Sequence, residues 1–320
     1  ERLITAPSGI SLAEAKKILH DHRIEKLPLM ENGMLKGLIT TKDIARIEHW
    51  PNSCRDKKGR LRVGAALGVK NTIERAEALI KAGVDVLVLD VAHAHSNLVI
   101  DCLRRLKVLF QIDVMVGNIA TAQAARDLIE AGADGLKVGI GPGAICTTRI
   151  ISGSGVPQFT AVMEVCAIAK EYGIPVTADG GAKYPGDIAK AIGAGASSVY
   201  SGTLFAGTDE SPGYIITKDG KRYKRYLGSA SYTNNHELKE NLSKKKIKEK
   251  LNLFVEGVAT LVDYKGSVEG VVLGLVKGLR SGISYCGARN VEEMQKNAEF
   301  IQITNAGLVE SGSRGQKLGE

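Results

Sequence analysis

The sequence predicts an α/β protein with a parallel sheet, preceded by a smaller α/β unit. Three observations lead to this class. From Arg62 onward, short apolar strands alternate with amphipathic helices, a pattern typical of parallel βα units. Several of these helices end in Ala-Gly, as at Ala82-Gly83 and Ala131-Gly132, and a glycine at that position is a common helix stop. The chain holds 37 glycines and only 5% aromatic residues, which suits buried parallel strands better than an aromatic-rich sandwich.

Residues 1–48 make up the smaller unit. Helical periodicity runs from Ser11 to His22, with Ser11 as the N-cap and Glu14 three residues later, the spacing of a capping box. Leu35–Thr40 is a predicted strand. Residues 49–61 contain a proline and an Asp-Lys-Lys-Gly turn, so we interpret them as a linker.

The larger unit, residues 62–320, contains six predicted strands and several predicted helices. The strands are Val63–Leu67, Val84–Leu89, Val114–Val116, Leu136–Val138, Pro175–Ala178 and Ser198–Tyr200. The helices include Thr72–Lys81, Ala122–Glu130, Ala161–Tyr172 and Pro185–Ile192. A closed barrel needs eight strands, and the first βα turn lacks the nucleotide fingerprint of an open doubly wound sheet. The sequence therefore predicts an incomplete (β/α)8 TIM barrel, and we expect its first two βα units to precede residue 1.

Glycines and polar residues gather directly after the predicted strand ends. They are Asp90, Gly117-Asn118, residues 139–148, Asp179-Gly180-Gly181 and Ser201-Gly202-Thr203. In a barrel of parallel strands these loops share one face, where the catalytic groups of barrel enzymes lie. We therefore expect the functional site at this face.

The strongest candidate for chemistry is Cys146, which lies in the glycine-rich segment 139–149. Three glycines within five residues let the backbone adopt positive φ angles and approach a ligand closely. A reactive thiolate needs such an accessible position. The alternative is a buried structural cysteine, which is common among free cysteines, but the loop context favours a nucleophile. The other four cysteines are predicted to be packing residues: Cys54, Cys102, Cys166 and Cys286.

Composition argues against several classes of function. No apolar run is long enough to span a membrane and residues 1–5 do not resemble a signal peptide, so we expect a soluble, cytoplasmic protein. Five scattered cysteines without a Cys-x-x-Cys pair argue against a disulfide framework or a zinc site. The net charge of +8 owes much to six lysines between Lys239 and Lys250, and no aromatic platform accompanies them, which argues against nucleic acid. His93 and His95 alone close no metal site, so we expect cofactor contacts or surface roles.

Several motifs along the chain are specific to one enzyme family. The sharpest are Val138 to Gly143 leading into Cys146-Thr147-Thr148-Arg149, then Gly155-Val156-Pro157-Gln158, Ala178-Asp179-Gly180-Gly181, Gly202 to Thr208, and Gly278 to Gly282. Together they resemble the IMP dehydrogenase and GMP reductase family, purine nucleotide oxidoreductases on a (β/α)8 barrel. Residues 22–28 and 37–44 resemble the closing half of a CBS domain. The resemblance implies that residues 1–48 are this half and that residues 62–320 are the catalytic barrel.

The resemblance also implies a role for each loop. Cys146 would attack C2 of the purine of GMP or IMP to give a covalent thioimidate. In the reductase reaction, Thr148 and Glu256 would pass a proton to the leaving ammonia. The implied nucleotide-binding residues are Ala144, Asp179, Gly180, Gly181, Gly202, Thr203, Tyr226, Leu227, Gly228, Ser229 and Ala230. A nicotinamide cofactor would contact Asp90, Gly139, Ile140 and Gly141. The carbonyls of Gly141, Gly143 and Cys146 would hold K+ or a similar monovalent cation, with Glu310, Ser311 and Gly312 of a neighbouring subunit.

Three positions leave alternatives open. Asp179 precedes two glycines, and because Asp-Gly-Gly is also ordinary turn chemistry, a capping role competes with ribose binding. Ala144 stands where the family usually has a serine that contacts the phosphate. The family's Tyr-Arg-Gly-Met-Gly-Ser loop has become residues 226–231, in which Tyr226, Gly228 and the final serine are kept.

The two branches of the family resolve the thioimidate differently. The dehydrogenase oxidises IMP with NAD and hydrolyses the adduct, using an Arg-Tyr pair on a flap to activate water. The reductase releases ammonia from GMP and takes hydride from NADPH to give IMP. The flap is expected at about 227–256, and no arginine occurs from Tyr226 through Leu279. We therefore predict a GMP reductase, with IMP dehydrogenase as the alternative.

A nucleotide-sensing module with an inactive barrel is a third possibility. The intact Cys146-Thr147-Thr148 and Asp179-Gly180-Gly181 motifs argue against it. The resemblance further implies regulatory nucleotides at the CBS region and assembly into a homotetramer or an octamer.

Overall fold

The chain folds as two compact units. The computed structural model describes residues 3–57, 59–228 and 259–312. The units are Glu1–Val63 and Gly64–Glu320, and each has its own hydrophobic core. Among the described residues, no helix is long and apolar enough to cross a membrane.

The first unit is a three-stranded sheet with two helices. Its elements are β1 (Ala6–Pro7), α1 (Leu12–Asp21), β2 (Lys26–Glu31), β3 (Met34–Thr40) and α2 (Thr41–His49). β2 pairs with β1 in parallel and with β3 in antiparallel orientation. The core is formed by Leu19, Leu27 and Ile44 together with two buried alanines.

The predicted capping box at the start of α1 is present. The Ser11 hydroxyl accepts from the Glu14 N–H at 3.2 Å, and the Glu14 carboxylate accepts from the Ser11 N–H at 3.1 Å. Hydrogen bonds from Ser11 lower the pKa of Glu14, because they favour its charged form. Thr40 and Asp43 build the same device at the start of α2. Local pattern thus fixes where both helices begin.

The second unit contains a six-stranded parallel sheet whose strands follow chain order. The strands are β4 (Gly64–Leu67), β5 (Val86–Asp90), β6 (Asp113–Ile119), β7 (Gly135–Val138), β8 (Val176–Asp179) and β9 (Ser198–Tyr200). The helices are α3 (Thr72–Lys81), α4 (Asn97–Leu109), α5 (Ala122–Glu130), α6 (Thr148–Ile151), α7 (Gln158–Glu171) and α8 (Pro185–Gly193). Each strand pairs in parallel with the next. This is the parallel half-barrel of α/β class that the sequence predicts.

One face of this sheet is apolar at its centre, whereas the other carries the buried Lys137 and Thr177. The fully buried apolar residues of the first face include Leu87, Leu89, Val114, Val116, Leu136 and Val138. They alternate along β5, β6 and β7 with residues of the other face, as side chains of a strand do. Burying each of these side chains contributes about 1.5–3 kcal/mol, so the strands form a firm base for the loops that follow them.

An antiparallel sheet and three helices follow β9. The strands are β10 (Ile215–Lys218), β11 (Lys221–Leu227) and β12 (Ala259–Asp263), and the helices are α9 (Val268–Tyr285), α10 (Val291–Asn297) and α11 (Asn305–Glu310). β11 pairs with both β10 and β12. α9 lies close to α8, because a Cβ at Gly278 would overlap Pro185 and one at Gly282 would lie 2.9 Å from the Ala189 Cβ.

The structure corrects several details of the sequence prediction. α4 and the β10–β12 sheet lie in stretches that the periodicity left unassigned. α7 begins at Gln158 rather than Ala161, because Pro157 has an extended ψ of 127° and the helix starts directly after it. Cys54 is exposed and Cys286 is half-buried, so only two of the four predicted packing cysteines, Cys102 and Cys166, are buried. Burial raises the pKa of the Cys166 thiol to about 12.

Candidate active site

The loops expected to carry the site lie at the carboxyl edge of the six-stranded sheet. Asp90, Val138 and Asp179 are the last residues of β5, β7 and β8, and Asn118 is the last but one of β6. Because the strands are parallel, their carboxyl ends meet at one edge. The structure therefore gathers residues that are up to 89 positions apart in sequence, as from Asp90 to Asp179.

At this edge Lys137 is buried between two carboxylates. Its Nζ lies 3.2 and 3.3 Å from the two carboxylate oxygens of Asp90 and 2.5 Å from Oδ2 of Asp179. It also donates to Oδ1 of Asn118 at 3.2 Å and lies 4.9 Å from the centroid of the Tyr200 ring. Only 7% of the Lys137 side chain is exposed. A charge so far removed from water needs these partners.

The ion pairs decide the protonation state of Lys137. Burial works to lower its pKa, but attraction to Asp179 and then to Asp90 outweighs burial, and the pKa is raised. Lys137 is therefore a cation at neutral pH. Because the folded pKa exceeds the unfolded value of about 10.4, the stability that these pairs contribute is present below that pH and is lost as the pH rises through the folded pKa.

Asn118 joins this charge cluster to the cysteine loop. Its Nδ2 donates to the Gly139 carbonyl at 2.7 Å and to Oδ2 of Asp179 at 2.9 Å, while its Oδ1 accepts from Lys137. A Cβ at Gly117 would overlap the backbone and side chain of Lys137, so only glycine fits beside that lysine. The side chain of Asn118 thus fixes the first residue of the cysteine loop.

The cysteine loop, residues 139–149, is a tight turn built on glycines. Gly139 and Gly141 have φ of 149° and 79°, conformations that suit glycine. The Cys146 N–H donates to the Gly143 carbonyl at 3.0 Å, and the Cys146 Sγ lies 3.2 Å from Oγ1 of Thr148. Cys146 is half-buried. The thiol therefore sits at an accessible position beside a hydroxyl that can exchange a proton with it.

The Asp179-Gly180-Gly181 loop touches the cysteine loop. Both glycines have a φ of +84°. A Cβ at Gly180 would lie 3.1 Å from Pro142 Cγ and 3.3 Å from the Gly143 nitrogen, so the two loops contact each other at van der Waals distance. The Gly180 N–H donates to the Tyr200 carbonyl at 3.1 Å. The carboxylate of Asp179 and the thiol of Cys146 therefore belong to neighbouring segments of one site.

Residues 202–211 border the site beyond β9. A Cβ at Gly202 would overlap the Tyr226 hydroxyl, which places β11 directly against this segment. Lys265 donates to the carbonyls of Thr203 and Leu204 at 3.1 and 3.0 Å. Burial lowers the pKa of Lys265, with the nearby charge of Asp263 opposing that effect. The structure thus brings together Gly202, Thr203 and Tyr226, and their role in nucleotide binding stays a prediction.

Other predicted residues lie further out or beyond the described chain. Ala144 is exposed in the cysteine loop, Leu227 is the last residue of β11, and Gly228 follows it. Glu310 ends α11 and is followed by Ser311 and Gly312. The part these three play in a cation site of another subunit stays a prediction. Outside the described residues lie Ser229, Ala230, Glu256 and the lysine-rich segment 239–250.

The two histidines near Asp90 contact each other, and His95 also contacts Asp127. His95 Nε2 lies 2.7 Å from Oδ2 of Asp127, and Gln123 donates to the other oxygen at 2.7 Å. These bonds, that of His95 first, lower the pKa of Asp127. The His93 ring lies edge-on to His95, with centroids 6.3 Å apart. Within the described ranges no three His, Cys, Asp or Glu side chains are grouped to hold a metal ion.

Lys137 belongs to no motif that marks it as a site residue in the sequence. Asn118 and Gln158 stand out there only as members of longer motifs. A signal for Lys137 exists, because a lysine inside the apolar strand Leu136-Lys137-Val138 faces burial and must find carboxylate partners. The strand ends at Asp90 and Asp179 supply the partners.

A family model for the IMP dehydrogenase / GMP reductase domain matches residues 33–314. The chain belongs to the IMP dehydrogenase/GMP reductase family. A family model for the CBS domain matches residues 1–49 of the same chain. The resemblance stated from the motifs is therefore confirmed.

Similar proteins of this family include enzymes from both branches. The inosine-5'-monophosphate dehydrogenases of Aquifex aeolicus and Nitrosopumilus maritimus are 52% and 51% identical over 97% of this chain. The chain spans 64% and 66% of their lengths. A GMP reductase variant from Trypanosoma brucei, solved in complex with guanosine 5'-monophosphate, matches with a TM-score of 0.89 and 44% identity. That match covers 98% of this chain and 65% of the other.

Proposed function

We propose that this chain carries out nucleophilic chemistry at C2 of a purine nucleotide, with Cys146 as the nucleophile. The observation that carries the proposal is the contact between the cysteine loop and the Asp179-Gly180-Gly181 loop, at Pro142 and Gly180. One loop supplies a thiol beside a hydroxyl, and the other supplies a carboxylate followed by flexible backbone. A thiol attack on C2 splits a difficult substitution into two easier steps.

Asp179 and the glycines after it are suited to the ribose and phosphate of the nucleotide. Lys137 and Asn118 both bind Oδ2 of Asp179. The carboxylate keeps further acceptor positions, chiefly on Oδ1, that ribose hydroxyl groups can use. Because the Gly180 N–H is bonded to the Tyr200 carbonyl, the backbone N–H groups that we expect at the phosphate are those of Gly181 and of residues 202–203. Lys137 and Asn118 thereby orient Asp179 while it binds substrate.

Asp90 fits the ribose of a nicotinamide cofactor. Its carboxylate lies at the same edge, on the other side of Lys137, and 39% of its side chain is exposed. A half-exposed carboxylate can accept from two neighbouring ribose hydroxyl groups. Gly139, Ile140 and Gly141 begin the cysteine loop, which leads to Cys146. They would line the nicotinamide end of the cofactor site. When bound, the cofactor supplies or accepts a hydride; we propose NADPH, with NAD as the alternative.

The cysteine loop also fits a monovalent cation. The proposed ligands are the carbonyls of Gly141, Gly143 and Cys146, which the tight turn brings into a short stretch of chain. Ring-like sets of backbone carbonyls are the ligands that K+ prefers. Glu310, Ser311 and Gly312 would come from another subunit of a homotetramer.

We propose the reductive direction, from GMP to IMP. Cys146 adds to C2 and the amino group leaves as ammonia, after which hydride adds to C2 and the thiolate is released. Thr148 lies against the thiol, and with Glu256 it can pass a proton to the leaving ammonia. The stretch from Tyr226 through Leu279 has no arginine to activate a hydrolytic water, as the dehydrogenase branch requires.

IMP dehydrogenase activity is the second candidate. It is favoured by the names of curated relatives that are 46–52% identical to this chain. The test is a pair of assays on the full chain, GMP with NADPH and IMP with NAD, each followed at the nicotinamide absorbance band. We expect repeated turnover of GMP, and at most a burst of about one NADH per site from IMP. Steady formation of xanthosine monophosphate at an equal or higher rate would assign the chain to the dehydrogenase.

For the remainder of the chain we propose a regulatory role. Residues 1–48 would form half of a CBS domain that binds a nucleotide, and residues 49–61 would link it to the catalytic part, 62–320, whose flap spans about 227–256. The family match to a CBS domain over residues 1–49 supports this assignment. Titration of the full chain with adenine and guanine nucleotides, in the presence of a saturating active-site ligand, tests it.

A further inference from the structure

Gln158 is a motif residue to which the proposed chemistry gives no role. It is the first residue of α7, and its side chain lies at the carboxyl edge of the sheet. Its Nε2 donates to the carbonyls of Val138 at 2.9 Å and Asp179 at 3.1 Å. One side chain therefore bridges the ends of two neighbouring strands.

The two bridged carbonyls mark where the loops of the site begin. The pairing of β7 with β8 ends at Val138 and Ala178. Beyond this point the cysteine loop leaves from Val138, and the glycine pair leaves from Asp179. The Gln158 amide thus continues the connection between the strands where the ladder of backbone hydrogen bonds has stopped.

The orientation of the Gln158 amide is fixed by its surroundings. Both N–H groups point at carbonyls, so a flipped amide would place its own oxygen against two others. Within the described part of the chain, its Oε1 is the one buried side-chain nitrogen or oxygen without a hydrogen-bond partner. A Cβ at Gly139 would lie 3.1 Å from this oxygen, and one at Gly181 would lie 3.4 Å from the Gln158 Cβ. The site therefore tolerates an unsatisfied acceptor to keep the two donors in place.

We infer that Gln158 is a positioning residue that holds the cysteine loop and the Asp179-Gly180-Gly181 loop in register. It keeps the thiol of Cys146 at a fixed distance from the groups that hold the nucleotide. This inference rests on the proposed function, since it concerns the alignment of a nucleophile with a bound substrate. Losing the bridge displaces both loops, so it lowers kcat and raises the nucleotide KM together.

The test compares Gln158→Met with the wild-type full chain in two measurements. Methionine keeps the length of the side chain and removes both donors. In steady-state kinetics with GMP and NADPH, we expect kcat/KM to fall by at least about 30-fold, divided between kcat and KM. In alkylation by iodoacetamide without nucleotide, followed by peptide mass spectrometry, we expect the rate at Cys146 to change at least about fivefold, while exposed Cys54 is unaffected. Gln158→Asn, whose amide is one methylene shorter, should give an intermediate result and decides the matter if the methionine variant does not fold.

Gln295 offers a matched control. Its Nε2 also donates to two backbone carbonyls, of Ile192 and Ala196, at 3.0 and 3.3 Å. We expect Gln295→Met to leave kcat/KM and Cys146 alkylation within about twofold of wild type, because this bridge adjoins α8 and not the two loops. Wild-type kinetics and alkylation in Gln158→Met, or an equal loss in Gln295→Met, would overturn the inference. A wild-type chain inactive with both substrate pairs would instead refute the proposed function, and the alkylation rate would still decide the role of Gln158.

Discussion

The two flanks of the candidate site are built differently, although each depends on a buried lysine. On the flank formed by β5, β7 and β8, Lys137 pairs with the carboxylates of Asp90 and Asp179. On the flank formed by β11 and residues 202–211, Lys224 is also buried, but among the described residues it donates only to backbone carbonyls. These are the carbonyls of Thr208, Asp209 and Ser211, at 2.7, 3.3 and 2.6 Å.

The difference indicates what each lysine does. A carboxylate that binds a lysine still has acceptor positions for a ligand, so the Lys137 flank combines order with available charge. The carbonyls around Lys224 turn towards the lysine, and the result is a fixed backbone. We therefore assign Lys137 to the groups that meet the ligand and Lys224 to the support behind them.

Replacing Lys137 should give the largest effect. Lys137→Met leaves Asp90 and Asp179 close together without their shared cation, and breaking a buried pair in this way costs about 3–5 kcal/mol. We expect kcat/KM to fall at least about 1,000-fold, because both carboxylates lose their orientation. Steady-state kinetics and urea unfolding measure the two effects. Lys137→Arg keeps the charge and should recover part of the activity; a methionine variant with wild-type kinetics would remove the distinction between the flanks.

Replacing Lys224 should separate stability from catalysis. Lys224→Met removes the donor from three carbonyls, of which that of the buried Thr208 has least access to water, and we expect a loss of about 1–3 kcal/mol in the free energy of unfolding. Because these carbonyls are directed at the lysine, we expect kcat to fall less than about tenfold. Urea unfolding and kinetics on the same preparation check this. If kcat falls as far as in Lys137→Met, the second flank is part of the catalytic machinery and our comparison is wrong.

Removing the Asp127–His95 pair should give the smallest effect, and this effect should depend on pH. The hydrogen bond from His95 lowers the pKa of Asp127, so this pair stabilises the fold above the ordinary Asp pKa of about 3.9, and its contribution is lost as the pH falls through the folded pKa. We expect Asp127→Asn to lower Tm slightly at pH 7, and we expect this difference to shrink as the pH falls below the ordinary Asp pKa and through the folded pKa of Asp127. Thermal unfolding at a series of acid pH values provides the measurement. A difference in Tm that does not shrink as the pH falls would refute the ionic origin.

The parts of the molecule that follow from local pattern could be predicted from the sequence. The capping box of Ser11 and Glu14 needs only residues three apart, and the structure contains it. α3 and α5 have the predicted bounds, because the apolar spacing lies within each helix and the glycine stop follows two residues after its end. The loops at Asp90, residues 139–149 and Asp179 follow from the rule that parallel strands end at one edge.

The contacts between distant segments could not be predicted in the same way. Lys137 contacts Asp90 and Asp179, which lie 47 and 42 positions away in sequence, and only the pairing order of the strands brings them together. The antiparallel sheet has no apolar pattern in the sequence, because β11 consists of two Lys-Arg-Tyr repeats followed by a leucine. Its pairing with β10 and β12, and the burial of Lys224, come from tertiary structure.

We propose Cys146 as the nucleophile of a nucleotide site at the carboxyl edge of the sheet. The most direct measurement compares Cys146→Ala with wild type in GMP binding by calorimetry and in turnover of GMP with NADPH, with half-buried Cys286→Ala as the control. We predict a Kd for GMP within about threefold of wild type and a kcat lowered at least about 1,000-fold, because the thiol forms the covalent bond but contributes little to ground-state binding. Retention of more than about a tenth of the wild-type rate would contradict the covalent mechanism.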